Sequence, residues 1–277
     1  MLTPPAPVPQ LQLKTIVGGP AAGCQMLLPV PSPLADCIVA GDYEPESVRL
    51  LQRLISPSDT CYDIGGHYGV YSVILARLAN QGHVFTFEPV PSLADAIRRT
   101  LAASQLNNVT LRQAAMAGNV GQMTLRYAAT ASGDDSMAFL EQYGGVNTPR
   151  SQVQYAHFQE IRTACVTLDS LTTPVPSFIK IDAEGAEAAI IKSGLKMLAS
   201  ARPRLLIEVH GVDLALECAQ LLGSLGYVAL QIAQRSLAMP VLWIHHTDTT
   251  ALSRLRAVPG ESLPILYGVL DEAERGG

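Results

Sequence analysis

The sequence predicts an α/β fold, in which a mostly parallel sheet carries helices on both faces. Strand-like apolar runs alternate with helical patterns along most of the chain, and this alternation is typical of a parallel sheet. The run LLIEV at 205–209 is apolar almost throughout, as expected of a strand that is buried on both sides. The first strand ends at Ile64 and runs directly into glycines, which is typical of a tight turn before a helix.

The individual elements follow from hydrophobic periodicity and turn residues after Gly41. Apolar residues recur every three or four positions in five segments. We expect helices at 46–55, at 71–79, from Ser92 onward, after Gly185 and at 214–225. Short β-rich apolar runs indicate the strands. We expect strands at 61–64, 83–87, 109–114, 178–181, 205–209, 227–232 and 241–245.

Two segments depart from this alternation. Residues 1–33 contain eight of the 19 prolines, and because proline lacks an amide donor we expect an extended arm or a partly disordered lead. Residues 34–277 are expected to form the main domain. Between Ala128 and Thr163 the periodicity is poor, and we expect a lid or acceptor-binding insertion there, with surface ornament as the alternative.

Composition and charge exclude several classes of protein. The chain has 277 residues, of which 48% are hydrophobic, and a net charge of −5 at pH 7. This acidic balance offers no basic surface to a phosphate backbone, so we expect no nucleic-acid partner. We also expect no membrane span and no secretory signal. The five cysteines are odd in number and form no CxxC pair, which favours a reducing cytoplasm over a disulfide framework.

Glycines and an acidic residue follow the first two predicted strands, where ligands bind in open α/β sheets. Asp63, Gly65 and Gly69 form a turn in which the backbone can approach a ligand closely. Glu88 follows the next strand, and a carboxylate about 20 residues after a glycine turn can accept hydrogen bonds from ribose hydroxyls. The alternative for the glycine turn is a turn that binds no ligand, and the alternative for Glu88 is an ordinary surface carboxylate. The dinucleotide fingerprint Gly-x-Gly-x-x-Gly is missing from this turn.

Further carboxylates follow the strand at 178–181. Lys180 and Asp182 are two residues apart and therefore share one face of the sheet. A divalent ion held by Asp182, Glu184 or Glu208 is compatible with this spacing, but the spacing does not require one. We expect Glu187 to stabilise the start of the next helix.

Glu208 and His210 share one face at the end of another strand. A histidine has the intrinsic pKa to take a proton from a hydroxyl near neutral pH. The alternative is a partly exposed structural histidine.

Together these motifs resemble the FkbM family of S-adenosylmethionine-dependent methyltransferases. Gly41 to Glu46 resembles the family's lead-in segment, and Thr167 to Asp169 resembles its short element before the fourth strand. The stretch IKIDAEGAE at 179–187 is the most specific match. The other matching motifs are Asp63-x-Gly65 with Gly69, Phe87-Glu88-Pro89 and Glu208-Val209-His210.

The resemblance implies a Rossmann-like class I methyltransferase with a seven-stranded, mostly parallel sheet and an antiparallel last strand. It also implies S-adenosylmethionine as cofactor. The glycine turn would wrap its methionine part, Glu88 would hold the ribose, and Asp182 would lie near the methyl group. The implied cofactor-binding residues are Asp63, Gly65, Gly66, His67, Gly69, Ser72, Glu88, Pro89, Ala114, Ala115 and Asp182.

The family's activity implies O-methylation of a hydroxyl on a small molecule, such as a natural product or a sugar. His210 would be the general base, and Asp182 or Glu208 would orient it or the acceptor. Two alternatives remain open. One is an NAD-dependent oxidoreductase, against which the missing fingerprint argues. The other is a cofactor-binding protein or scaffold without catalysis. The sequence predicts neither the acceptor nor the oligomeric state.

Overall fold

The computed structural model describes residues 9–128, 138–143, 158–232, 239–255 and 266–267. The strands in these ranges are β1 (Gln10–Thr15), β2 (Gln25–Val30), β3 (Thr60–Ile64), β4 (His83–Phe87), β5 (Val109–Arg112), β6 (Ala115–Met116), β7 (Gly121–Ala128), β8 (Ala138–Leu140), β9 (Phe158–Val166), β10 (Phe178–Ile181), β11 (Arg204–Val209), β12 (Tyr227–Ile232), β13 (Met239–His245) and β14 (Leu266–Tyr267). The α-helices are α1 (Pro33–Ala40), α2 (Pro45–Leu54), α3 (Val70–Leu78), α4 (Pro91–Ala103), α5 (Glu187–Lys192), α6 (Leu195–Ala201), α7 (Val212–Ser224) and α8 (Thr249–Leu255).

The central sheet contains eight described strands in the order β14-β12-β13-β11-β10-β3-β4-β5. The five strands from β11 to β5 are parallel. β13 lies between β11 and β12 and runs antiparallel to both, as the resemblance implies for the last strand of a seven-stranded sheet. The sheet differs from that expectation by one strand, because the two-residue β14 pairs with the outer edge of β12.

Helices cover both faces of this sheet, as the sequence predicts. All four residues of β10 are buried, and its apolar residues belong to two apolar clusters on opposite faces. Phe178 joins Leu51 of α2 and Val73 of α3 on one face. Ile179 joins Ile190 of α5 on the other face. A strand covered on both sides needs mostly apolar residues, which explains why three of the four residues of β10 are apolar. The exception is Lys180, which faces the site described below.

Two helix expectations need correction. Ser92 does not cap α4, because the helix begins at Pro91 with Val90 as its N-cap residue, and proline is pre-organised for the first helical position. The segment after Gly185 forms two helices, α5 and α6, that are separated at Gly194.

From Gln10 onward, the described part of the proline-rich N-terminal segment packs on the domain, which differs from the expectation of an extended arm or a partly disordered lead. β1 and β2 form an antiparallel hairpin, and Met26, Leu27 and Leu28 of β2 are buried. The amide of Leu27 donates a hydrogen bond of 2.9 Å to Oγ1 of Thr100 in α4. The hairpin is therefore part of the core. The domain boundary at residue 33 stays a prediction.

The segment from Ala128 to Thr163, whose periodicity is poor, contains strands in its described parts. β6, β9, β7 and β8 form a second sheet in that order. β7 pairs along its whole length with β9, from Gly121 opposite Cys165 to Ala128 opposite Phe158. Residues 129–137 and 144–157 lie outside the described ranges, so a lid or acceptor-binding role for the insertion stays a prediction.

Two further expectations concern membranes and disulfides. Among the described helices, none combines the length and the apolar character needed to cross a lipid bilayer. All five cysteines lie in the described ranges, and each has a free thiol.

We expect that Leu28→Ala lowers the free energy of unfolding by about 2–5 kcal/mol, because it opens a cavity in the core under the hairpin. Leu28 is 0% exposed. Leu13→Ala in the same hairpin is the control, since Leu13 is 49% exposed and its loss should cost less than about 0.5 kcal/mol. Urea unfolding of the purified variants measures both. Equal, small effects would mean that the hairpin is a loosely attached arm.

Candidate functional site

The turn after β3 brings the ends of three strands together. The amides of Gly65 and Gly66 both donate to the carbonyl oxygen of Phe87, at 3.0 and 3.1 Å. The amide of Asp182 donates to the carbonyl of Ile64 at 3.0 Å. Gly65 has a φ of +80°, and a Cβ built there would lie 1.8 Å from the carbonyl oxygen of Asp182. Both the left-handed conformation and the close approach therefore require glycine at this position.

Glu88 lies directly against this turn, at the end of β4. Its Oε2 accepts a hydrogen bond of 2.8 Å from the amide of His67. Its Oε1 accepts another of 2.8 Å from the amide of Val90. The side chain is 4% exposed, and this burial raises the pKa of Glu88 to about 7, against the opposing effect of the two amide donors.

Asp63 and Ser72 lie beneath the turn and support it. The hydroxyl of Ser72 donates to Oδ2 of Asp63 at 2.6 Å and lies 2.8 Å from Oγ1 of Thr86. All three side chains are fully buried, and burial raises the pKa of the Asp63 carboxyl. Because neither Asp63 nor Ser72 lines the cavity described next, their position fits a supporting role better than the direct contact that the resemblance implies.

A cavity of about 290 Å³ opens above the turn, near the lower end of the range for ligand pockets, about 300–1,000 Å³. Of the residues predicted for the site, it brings together Gly65, Gly66, His67, Glu88, Pro89, Ala115, Asp182 and Glu208. Gly69 and Ala114 do not line it within the described residues. Gly69 instead serves as the N-cap residue of α3, with a φ of +84°.

The cavity has further walls outside the motif residues that were assigned to the cofactor. The second sheet contributes Leu125, Ala138 and Leu140, and the region before β3 contributes Leu34 and Tyr43. Ala138 and Leu140 lie in the segment predicted as a lid or acceptor-binding insertion, and Tyr43 lies in the matched lead-in segment, but none of these residues was singled out by the sequence. Nothing in their local pattern distinguishes a cavity wall from any other apolar position.

Lys180 is a buried cation at the centre of the site. Its Nζ donates to Oδ2 of Asp182 at 3.0 Å and lies 4.8 Å from the centre of the Tyr71 ring. Burial alone would lower the pKa of Lys180, but the carboxylates of Asp182 and Asp63 outweigh it and raise the pKa. Burial would likewise raise the pKa of Asp182, and Lys180 together with His210 lowers it instead. Lys180 and Asp182 therefore stay oppositely charged across the neutral range.

Tyr71 and Glu44 form a contact that the sequence did not predict. The Tyr71 hydroxyl donates a short hydrogen bond to Oε2 of Glu44, and the Tyr43 ring packs edge-on against that of Tyr71 at 6.2 Å. In the sequence, this contact was indicated only by residues 41–46, which resemble the family's lead-in segment. This contact links the chain before β3 to the site.

His210 is surrounded by carboxylates. Its Nδ1 lies 2.9 Å from Oε1 of Glu187, and its Nε2 lies 3.7 Å from Oδ1 of Asp182 and 3.5 Å from Oε2 of Glu184. Although burial lowers the pKa of His210, these carboxylates raise it to about 10. An imidazole held protonated at neutral pH cannot accept a proton, so the geometry argues against His210 as general base.

The neighbouring glutamates have perturbed pKa values as well. Burial, followed by the charge of Asp182, raises the pKa of Glu208 to about 8. Burial is also the main cause that raises the pKa of Glu184 to about 7. Glu187 lies in the first turn of α5, where its Oε1 accepts hydrogen bonds from the amides of Ala183 and Gly185 at 3.3 and 3.1 Å. This is the helix-start position that the sequence predicts for Glu187.

Comparison with known proteins gives one family match. The model of the methyltransferase FkbM domain matches residues 63–229. No curated protein matches the chain significantly.

Solved methyltransferase structures are similar at low identity. Methyltransferase FkbM from Methylobacillus flagellatus KT is 16% identical with a TM-score of 0.48, over 69% of this chain and 44% of that one. Precorrin-6y C5,15-methyltransferase from Geobacter metallireducens is 16% identical with a TM-score of 0.43, over 73% and 88%. An S-adenosylmethionine-dependent O-methyltransferase from Thermotoga maritima is 12% identical with a TM-score of 0.44, over 73% and 64%. The chain thus spans less than half the length of the first of these proteins.

We expect Gly65→Ala to destabilise the fold by about 3 kcal/mol or more, since it adds overpacking of roughly 1–3 kcal/mol to backbone strain of roughly 1–2 kcal/mol. Gly23→Ala separates the two costs, because Gly23 has a φ of +85° and no atom within 4 Å of the added Cβ. Gly23→Ala should therefore lower the free energy of unfolding by only about 1–2 kcal/mol, the cost of the backbone strain. Chemical unfolding measures both variants, and equal losses would show that close approach to Asp182 is unimportant.

Proposed function

The chain belongs to the FkbM methyltransferase family, and from this premise we propose that it transfers a methyl group from S-adenosylmethionine to a hydroxyl oxygen of a small molecule. The observation that carries the proposal is the shared cavity of the glycine turn, Glu88, Asp182 and Glu208. One end of this cavity suits the cofactor, and the other suits an uncharged organic acceptor.

The residues at the glycine turn fit a nucleoside. An ionised carboxylate offers about four lone-pair sites, and in Glu88 the amides of His67 and Val90 occupy two of them. The remaining sites match the two hydroxyls of a ribose. Gly65 and Gly66 expose backbone beside this carboxylate, where the methionine part of the cofactor would lie. The cofactor supplies a methyl group on a positively charged sulfur.

The other walls of the cavity support a small-molecule acceptor. Leu125, Ala138 and Leu140 provide apolar surface to the same cavity as the glycine turn. The carboxylates of Asp182, Glu184 and Glu208 also face this space. Such a lining would repel phosphate groups, and it suits an organic molecule with one hydroxyl directed at the carboxylates.

We assign the general-base role to Glu208 in place of His210. The Glu208 carboxyl lines the cavity, whereas that of Asp182 is already engaged by Lys180. With a pKa of about 8, Glu208 has an ionised fraction at neutral pH that grows as the pH rises, whereas His210, with a pKa of about 10, keeps its proton in this range. As the acceptor oxygen forms its bond to the methyl carbon, the carbon–sulfur bond breaks and its electron pair stays on sulfur. The hydroxyl proton passes to the Glu208 carboxylate. Because attack must be in line with the departing sulfur, the walls contribute by orienting the acceptor.

Glu88→Gln is expected to weaken binding of S-adenosylhomocysteine about tenfold or more, since it removes charge-assisted hydrogen bonds to the ribose. Isothermal titration calorimetry measures this affinity, with NADH as the comparison ligand and Glu217→Gln as a control on the exposed side of α7. Tight binding of NADH in place of the nucleoside would support the oxidoreductase alternative and contradict the proposal.

The same titration should depend on pH. Only the ionised Glu88 accepts both ribose hydrogen bonds, and its pKa in the free protein is about 7. Affinity should therefore be full above pH 7 and fall by up to about tenfold per unit below it. Asp63 and Lys180 are the charged groups that act on Glu88. In Glu88→Gln this dependence should disappear, and a dependence that persists unchanged would assign it to another group.

We expect Glu208→Gln to lower kcat by about 10²–10⁴-fold, the usual contribution of a general base, with little change in the affinity for S-adenosylhomocysteine. Release of S-adenosylhomocysteine, measured with a panel of macrolide and sugar alcohols, identifies an acceptor and gives kcat. A kcat close to that of the unmodified chain would exclude Glu208 as the base.

A further inference from the structure

Three side chains beside the cavity direct ligand atoms at one point. His210, Asp182 and Glu184 each offer one ligand atom, and these atoms lie within 4.8 Å of one another. The distances from Nε2 of His210 are 3.7 Å to Oδ1 of Asp182 and 3.5 Å to Oε2 of Glu184. An ion with metal–ligand bonds of about 2.1 Å would join Nε2 to each of these two carboxylate oxygens at angles of roughly 110–125°. The imidazole is therefore already spaced from both carboxylates for a common ion.

The other nitrogen of His210 is held as in a metal site. Histidine ligands nearly always bond a carboxylate through the nitrogen that does not face the metal, and this fixes the ring and its tautomer. Here Nδ1 of His210 lies 2.9 Å from Oε1 of Glu187. Glu187 is 0% exposed, and its own position is fixed by the amides of Ala183 and Gly185. Nε2 is consequently aimed at Asp182 and Glu184.

The polar atoms around this point leave one buried acceptor unpaired. Lys180 donates to Oδ2 of Asp182, and the protonated His210 also compensates for carboxylate charge. Oε2 of Glu187 is buried without a hydrogen-bond partner in the described part of the chain. A divalent ion would replace the compensation that the His210 proton supplies, because the carboxylates of Asp182 and Glu184 would then bond the ion directly.

We propose that Asp182, Glu184 and His210 bind a divalent transition-metal ion at the edge of the cavity. One imidazole nitrogen with two carboxylate oxygens favours ions such as Mn²⁺ or Zn²⁺ over Mg²⁺, which takes oxygen ligands. The set differs from the one compatible with the sequence, because His210 takes the place of Glu208. When the ion binds, it displaces any proton on Nε2 of His210, and this proton passes to solvent.

The position of the site gives the ion a function that rests on the proposed methyl transfer. Asp182 and Glu184 both line the cavity, so an ion between them would be open to the acceptor on one side. A bound divalent ion lowers the pKa of an attached hydroxyl and orients it. Glu208 would then remove the proton from an oxygen that the ion holds in place.

Titration of the chelator-dialysed full chain with Mn²⁺, followed by electron paramagnetic resonance, tests the site without cofactor or acceptor. We expect one ion per chain and a ¹⁴N modulation of its spin echo from the His210 imidazole. His210→Ala should remove the modulation, and His210→Ala and Glu184→Gln should each weaken binding at least tenfold. Glu187→Gln should weaken binding about 10–100-fold, as replacement of a carboxylate behind a ligating histidine does.

Two controls make the result decisive. Glu217→Gln changes a half-exposed carboxylate paired with Lys192 on the surface, and it should leave the affinity unchanged. Circular dichroism shows whether each variant is folded, and His210→Gln replaces His210→Ala if the latter is not. Binding of less than one ion, binding without the ¹⁴N modulation, or equal affinity in all folded variants would overturn the metal site. Because no step involves methyl transfer, these outcomes are independent of the proposed function.

Discussion

The site depends on one close contact, between the backbone of Gly65 and the carbonyl of Asp182. No side chain fits between them, since even a Cβ would lie 1.8 Å from that oxygen. The contact fixes the end of β3 against the end of β10, and the amides of Gly65 and Gly66 fix it against β4 through Phe87. Glu88 and Asp182 belong to different strands, and they reach the same cavity because these strand ends are locked together.

Charge balance is the second constraint on the site. Asp63, Glu88 and Asp182 are carboxylates in buried or half-buried positions, and burying a charge is costly unless a partner compensates for it. Lys180 compensates for part of this charge, since it bonds Asp182 and lowers the pKa of Asp63. His210 occupies the opposite end of the cluster, between Glu184, Glu187 and Asp182. A site of this charge can hold a cation, and it also suits a cofactor whose reacting sulfur is positive.

Sequence reasoning predicted the parts of the molecule that are encoded locally. Periodicity gave the parallel sheet, the helices on both faces and the strand ends, and the alternation of strand residues brought Asp182, Glu208 and His210 to one edge. Non-local pairing was missed. β7 and β9 meet across residues 129–157, so their register depends on tertiary contacts that no local pattern records. The prolines also concealed the N-terminal hairpin, because a proline such as Pro29 is tolerated in a two-stranded ribbon with free edges. Likewise, the pKa of His210 depends on carboxylates from two other elements and cannot be inferred from its own motif.

The central claim is that Glu88 and the glycine turn bind one nucleoside together. A crystal structure with S-adenosylhomocysteine tests it most directly. We predict both ribose hydroxyls within hydrogen-bond distance of the Glu88 carboxylate, the amino-acid end against Gly65 and Gly66, and the sulfur facing Asp182. Density for the ligand elsewhere, or a ribose held by other residues while Glu88 keeps only its two amide partners, would contradict the account.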